Sequence, residues 1–192
     1  MATIYTYGNS AQELYVQDII EATGGHYAGK LESLHGKTPQ FVFPLGSTPE
    51  AKENVMAEMA AARVQPVSLI HPSACISRSA EIGPGVLITT LVSVAANTVI
   101  EAGAVIHSHC VIGHDNHIGM FASLSPGCVL AGTVRIGPRA KLGSNVTVCP
   151  NKSIGPGADV WAGSVIQKDA PPMKVHYNYE PDASPFRKGR KS

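Results

Sequence analysis

Net charge is what this 192-residue chain has least of, because 15 Lys plus Arg stand against 14 Asp plus Glu. Without a positive field over the body, binding along a phosphate backbone is not expected. No run approaches the ~20 apolar residues of a membrane span, and residues 1–8 have neither a basic n-region nor an apolar h-region. No membrane span and a cytoplasmic location are therefore expected. Cys75, Cys110, Cys128 and Cys149 form no CxxC pair and no zinc-ligand spacing, which excludes a metal knuckle or redox motif and predicts reduced thiols. The one basic cluster, Arg187, Lys188, Arg190 and Lys191, reads as a solvated end.

A fixed period is present instead. From Ile70 to Ile166 an aliphatic residue recurs every six positions without a miss, seventeen times in succession. Four residues after each comes a second inward candidate, usually small, as at Ala74, Ala80, Ala104, Cys110, Ala122, Cys128, Ala140 and Ala158; Asn116 and Lys152 break that pattern. Turn residues follow the aliphatic position, as in Ile82-Gly-Pro-Gly and Ile154-Gly-Pro-Gly. Each hexapeptide is a short strand plus a corner. A strand so short cannot bury its own inward face, so successive turns must stack at the ~4.8 Å spacing of paired strands. Resemblance to known hexapeptide-repeat proteins implies that three hexapeptides close one triangular coil and that the winding is left-handed, against the usual crossover preference. Five to six coils then give a prism on the order of 27 Å tall, and residues eighteen apart lie one above the other. Cys110 and Cys128 are such a pair; both hold the small inward position and are expected to be buried thiols.

Residues 1–67 read as a small α/β domain of Rossmann-like type. Ile4-Tyr-Thr-Tyr7 is a strand, residues 11–22 an amphipathic helix ending at Gly24-Gly25, residues 40–43 a second strand, and residues 49–63 a second helix capped by Ser47 or Thr48. Ligands of such parallel sheets bind at the carboxyl ends of strands, which points to the turns at Gly8-Asn9-Ser10 and Gly46-Ser47; glycines needed only for the turns are the alternative. The β-helix occupies residues 68–170 and a tail residues 171–192.

Two chemistries compete for the histidines. His107, His109, His114 and His117 fall within eleven residues, and γ-class carbonic anhydrases bind zinc through histidines on this kind of helix. His114 holds one of their ligand positions, but the position after Ile118 is Gly119, so no metal is expected. In His114-Asp115 an imidazole has a carboxylate beside it, which can hold one tautomer and make the ring a general base, its unperturbed pKa of ~6.5 lying near working pH. Eighteen residues above His114 is Gly132, whose N–H could stabilise an oxyanion and whose missing side chain lets a substrate approach. The bland alternative is a solvated corner histidine.

The stretch from Ile112-Gly-His-Asp-Asn-His-Ile through Leu130-Ala-Gly-Thr-Val-Arg-Ile-Gly137 resembles the signature of the NeuD/PglD sugar acetyltransferases, and Ile4-Tyr-Thr-Tyr-Gly-Asn-Ser10 is similar to that family's opening strand and turn. The resemblance implies a trimeric, acetyl-CoA-dependent acetyltransferase acting on an amino or hydroxyl group of a nucleotide-linked or free sugar. It implies that His114 deprotonates the acceptor, Asp115 orients it, and Gly132 offers its amide to the thioester carbonyl. Ser123, Gly132, Ser144 and Ala162 match positions along the coenzyme groove between neighbouring prisms, and Ser10, Ala11 and Gln12 with Gly46 match the sugar-nucleotide pocket. Glu32 is also expected at that pocket, where the chain has Glu32-Ser33 in place of an acidic pair that some members use on the sugar nucleotide; further departures are Ser123, in place of a histidine on the coenzyme side, and the closing segment from Pro171 onward. A γ-class carbonic-anhydrase-like zinc enzyme and a non-catalytic trimeric scaffold that binds sugar nucleotides are the rival readings.

Overall fold

The computed structural model describes residues 2–34, 41–173 and 175–176. Its first sixty residues follow the order β1 (Thr3–Asn9), α1 (Glu13–Ala22), β2 (His26–Leu31), β3 (Phe41–Gly46) and α2 (Pro49–Ala61). The three strands form a parallel sheet in the order β2-β1-β3. Val16, Ile19 and Ile20 recur at helical spacing along α1 and are the residues it buries. α2 starts where Thr48 Oγ1 accepts the Ala51 N–H at 3.1 Å, with Pro49 supplying a preset φ in the first turn. β2 is absent from the sequence expectation. Its residues His26-Tyr-Ala-Gly-Lys-Leu31 are mostly half-buried or exposed, and the register against β1 shifts between Ile4 and Thr6, so the segment lacks the alternation that marks a strand. Gln40 and the basic tail lie outside the described residues.

From Leu69 onward the backbone winds as a left-handed parallel β-helix of two-residue strands. Every pairing within the seventeen repeats is parallel and joins residues eighteen apart, as in Ile70 with Ile88, Ile112 with Leu130 and Ile136 with Ile154. Three sheets result, with the seventh strand of the first contributed by Val175–His176. The first sheet begins with Leu69–Ile70, the second with Cys75–Ile76, the third with Glu81–Ile82. The aliphatic series fills the prism, fully buried from Ile88 to Val160, with Ile70, Ile76 and Ile82 partly covered in the opening coil.

Glycine is less necessary at the corners than the turn pattern suggested. The third residue after each aliphatic takes a left-handed backbone, from Gly85 to Gly163 at every sixth position, and nine of those places hold other residues, among them Leu91, Asn97, Asp115, Phe121 and Thr133. A left-handed conformation costs an ordinary residue about 1–2 kcal/mol and less for Asn or Asp. Stacking holds it there: the corner N–H bonds to the carbonyl nineteen residues back, as Thr133 N does to His114 O at 2.9 Å and Asp115 N to Ala96 O at 2.9 Å.

Polar groups inside the prism answer corner carbonyls of the next coil. Thr98 Oγ1 donates to Gly113 O (2.9 Å), Cys110 Sγ to Ser125 O (3.3 Å) and Cys128 Sγ to Gly143 O (3.2 Å). The stacked cysteines are buried free thiols, and the sulfur of Cys110 together with burial pushes the Cys128 thiol upward.

The α/β unit sits on the opening of the first sheet. Ile4, Val16, Ile19, Ile20, Phe43 and Leu45 share one apolar cluster with Leu69, Leu87 and Val105, the outward residues of that sheet. Arg139, on the edge between third and first sheets, grips Glu53 of α2 with Nε to Oε2 at 2.7 Å and Nη2 to Oε1 at 2.6 Å. Beside this seam Lys52 is 2 % exposed; its Nζ lies 4.8 Å from the Phe43 ring centroid and has no hydrogen-bond partner among the described residues. Burial pushes the ammonium pKa down to about 7. Because the folded value lies below the unfolded one, the folded state binds fewer protons between pH 7 and 10, and stability rises with pH across that window. Lys52→Met should therefore raise the unfolding free energy at pH 7, by on the order of 3 kcal/mol, and flatten its rise toward pH 10 in urea titrations.

Candidate active site

His114 stands on the edge between the second and third sheets, two residues after the buried Ile112. Its side chain is 65 % exposed, and its Nδ1 lies 2.6 Å from Asp115 Oδ2. Asp115 has the left-handed backbone of the corner, φ 57°, a conformation that a short carboxylate tolerates well. The other carboxylate oxygen is held from the coil below, where Asn97 Nδ2 donates to Asp115 Oδ1 at 3.1 Å. The His114 hydrogen bond first, and the Asn97 amide second, keep the Asp115 carboxyl below the usual carboxylate range. An ionised Asp115 accepts a hydrogen bond from Nδ1–H, which leaves the lone pair on Nε2, the nitrogen nearest Gly132, able to take a proton.

Gly132 shares that edge, one coil above. A β-carbon built on Gly132 would lie 2.6 Å from His114 Nε2 and 2.7 Å from Cε1, so the imidazole rests against the glycine where no side chain fits. The Gly132 carbonyl is taken by Asn151 N at 3.1 Å, whereas its N–H makes no hydrogen bond among the described residues. The His114 imidazole, the Asp115 carboxylate and a Gly132 N–H without a hydrogen bond among the described residues therefore meet at one accessible corner.

Of the positions expected for coenzyme from the resemblance, Gly132 is at this corner, while Ser123, Ser144 and Ala162 lie elsewhere on the same chain. Ser123 faces outward on the first sheet; Ser144 and Ala162 stack on the edge between first and second sheets, where Gly163 N donates to Ser144 O at 2.8 Å. One prism does not bring them to His114. The histidine cluster is dispersed likewise: His107 and His109 share the edge of Ser144, and His117 lies on the third sheet with Nε2 2.8 Å from Glu101 Oε1. Among the described residues no three His, Cys, Asp or Glu side chains converge on a common point.

At the carboxyl ends of β1 and β2, beside α2, a cavity of about 470 Å³ is lined by Tyr7, Asn9, Lys30, Glu32, Asn54 and Glu58, among others. Lys30 Nζ donates to Asn9 Oδ1 at 3.0 Å and the Tyr7 hydroxyl to Glu58 Oε2 at 2.7 Å. Ser10, Ala11 and Gln12 form the turn into α1, with Ser10 Oγ accepting the Gln12 N–H at 3.1 Å. Gly46 is held by packing, because a β-carbon there would sit 2.3 Å from the Lys52 backbone nitrogen. Sequence reasoning placed Glu32 at this pocket but passed over Lys30, Tyr7 and Glu58, whose strand and helix neighbours are distant in the chain. It also passed over Asn97, although subtracting eighteen from Asp115 lands one residue beyond Ala96, on Asn97 itself.

Residues 51–155, more than half of the chain, match the family model described as GMPPB C-terminal domain. Among solved structures, PerB, the perosamine N-acetyltransferase of Caulobacter crescentus, in complex with CoA and GDP-perosamine, superposes with a TM-score of 0.84 at 25% identity, covering 91% of this chain and 93% of that one. The acetyltransferase domain of PglB from Neisseria gonorrhoeae FA1090 with acetyl coenzyme A gives 0.82 at 23%, over 90% and 94% of the two chains. WeeI from Acinetobacter baumannii AYE gives 0.81 at 19%, over 91% and 96%.

A methyl group at Gly132 would displace the ring that packs on it. Gly132→Ala should lower the rate of the reaction carried out at this corner by about 10²-fold, the usual cost of misplacing a reacting group by an ångström, and a chemical-shift change of the His114 ring in NMR spectra should accompany it while the melting temperature stays within a few degrees.

Proposed function

This chain belongs to the GMPPB C-terminal domain family, and on that premise we propose that it is an acetyl-CoA-dependent acetyltransferase whose acceptor is an amino or hydroxyl group of a nucleotide-linked sugar. The observation that carries the reading is the His114 imidazole, braced by Asp115 and lying against the unpartnered amide of Gly132. The acceptor nitrogen or oxygen passes its proton to His114 Nε2 as it attacks the acetyl carbonyl. Asp115, itself anchored by Asn97, holds the Nδ1 proton and stabilises the imidazolium that forms. The Gly132 N–H binds the oxyanion, and as the tetrahedral intermediate collapses the C–S bond breaks and coenzyme A departs as the thiol, taking up the proton held by the His114 imidazolium. The extended superposition on PerB and on the PglB domain, solved with CoA or acetyl coenzyme A, supports acetyl transfer over a zinc lyase or an inert scaffold.

A trimer completes the site. The second sheet turns Cys75, Ser93, Val111, Val129, Thr147 and Val165 outward, an uncharged stripe on which the three valines are 38–48 % exposed, flanked by Leu91 and Trp161. The first sheet is partly covered by the α/β unit, and the third carries Glu81, His117 and Arg135. Three prisms placed around a three-fold axis with their second sheets inward bury this stripe. That arrangement sets the edge carrying Ser144 and Ala162 in one subunit beside the edge carrying His114 and Gly132 in its neighbour. The pantetheine arm would run along Ser144 and Ala162, with Ser123 nearby on the first sheet, and present the thioester across the interface. The sugar nucleotide takes the cavity beside Glu32, with the turn Ser10-Ala11-Gln12 at its approach and Gly46 letting α2 close on the sheet. Buried reduced cysteines suit a cytoplasmic protein, and no helix among the described residues is long and apolar enough to cross a membrane.

His114→Ala should cut turnover by about 10²- to 10⁴-fold with unchanged assembly; an unaltered rate would remove His114 as the base. The shared site has its own signature. Chains carrying His114→Ala and chains carrying Ala162→Trp, each inactive alone, should regain about a quarter of full activity when randomly mixed into hybrid trimers, whereas a site contained in one subunit would regain none.

A further inference from the structure

The inward position that is Ala or another small residue in most coils is Asn116 beneath the candidate catalytic corner, and its side chain is 1 % exposed. Burying an amide in an aliphatic core is unfavourable unless its polar atoms are matched. Here they are. Asn116 Nδ2 donates to Gly113 O at 3.0 Å and Oδ1 accepts from Val134 N at 2.5 Å. Gly113 immediately precedes His114. Its carbonyl also accepts from Thr98 Oγ1, and its N–H reaches Leu130 O at 2.8 Å in the coil above. Val134 follows Gly132 by two residues. One buried side chain therefore joins the corner that holds the imidazole to the corner that holds the amide.

The contrast with other corners shows what this linkage replaces. Where the inward residue is alanine, the turn closes on itself: Ala80 N bonds to Ser77 O at 3.1 Å, Ala122 N to Gly119 O at 3.1 Å and Ala140 N to Gly137 O at 3.2 Å. The Val134 N–H instead points down to Asn116. Deprived of that acceptor, it would be free to turn to Ala131 O, as Ala122 N does to Gly119 O and Val146 N to Gly143 O, and the peptide planes from 131 to 133 would rotate with it. The Gly132 amide lies within that segment.

We propose that Asn116 is a positioning residue that holds the Gly132 amide in register with the His114 imidazole for acetyl transfer, an inference that rests on the acetyltransferase reading above. It touches neither substrate and acts through the two corners it ties. Asn116→Ala places at this site the residue that other coils already carry, so the fold should survive. It should lower kcat by about 10- to 100-fold, with KM for acetyl-CoA and for the acceptor within about twofold. Asn116→Ser should recover kcat to within about threefold, because Ser68, at the equivalent inward place of an earlier coil, accepts from Val86 N at 3.1 Å as Asn116 accepts from Val134 N, while its own proton goes to Gly83 O of the coil above at 2.7 Å. Amide hydrogen exchange reports the linkage without any activity, and the Val134 N–H should exchange at least about tenfold faster in Asn116→Ala and regain protection in Asn116→Ser. A folded Asn116→Ala protein with kcat within twofold of the parent overturns the proposal, as does equal loss in the alanine and serine variants. Should the parent protein transfer no acetyl group to any sugar nucleotide, the functional reading fails, and the linkage is then judged by exchange alone: unchanged protection of Val134 in Asn116→Ala overturns it.

Discussion

Parallel strands paired in strict register, eighteen residues apart, are the constraint on which this molecule rests. A two-residue strand offers too few contacts to stand alone, so each coil exists because the coils above and below complete its hydrogen bonds and cover its aliphatic residue. The same pairing converts sequence distance into height. His114 lies beneath Gly132, Asn97 beneath Asp115 and Asn116 beneath Val134 for one reason. A slip of a single residue in one coil would send the imidazole to a different backbone position and separate it from the amide.

Polar residues inside the prism serve that registration. Thr98, Cys110 and Cys128 each donate to a corner carbonyl of the coil above or its corner, and Asn116 both donates and accepts. A carbonyl turned toward an apolar interior needs such a partner. These residues look like lapses in an aliphatic pattern when read along the chain, yet each fills a hydrogen-bonding need that an aliphatic side chain would leave open. The stacked thiols belong to this group, which accounts for two adjacent cysteines without a disulfide.

The fold was legible to the extent that it is periodic. The aliphatic series from Ile70 to Ile166 specifies strand positions, coil spacing and buried face, and the corner shared by His114 and Gly132 followed from counting. What counting could not supply was geometry off the repeat. β2 has no alternation because it is an irregular edge strand with a bulge, so its residues carry no pattern to find. The left-handed corners could not be located by looking for glycine, since Leu91, Phe121 and Thr133 occupy them under the pull of stacking. Lys30, Tyr7 and Glu58 converge on the α/β cavity through tertiary packing alone. Asn116 was visible as an anomaly, but its meaning depends on where the Val134 N–H points.

The constant spacing also bears on how the chain comes to be folded. Proteins made of strands commonly fold slowly, because their pairings join distant segments and chain entropy is lost before contacts compensate. Here each new strand finds its partner a single coil earlier, a separation of about a tenth of the chain, which is the range of helical bundles. Coils can therefore be added one after another as the polypeptide leaves the ribosome, with the α/β unit, synthesised first, covering the start of the first sheet. The nascent chain acquires His114 before the glycine that completes the corner, so the arrangement proposed for acetyl transfer exists only when the next turn has closed over it.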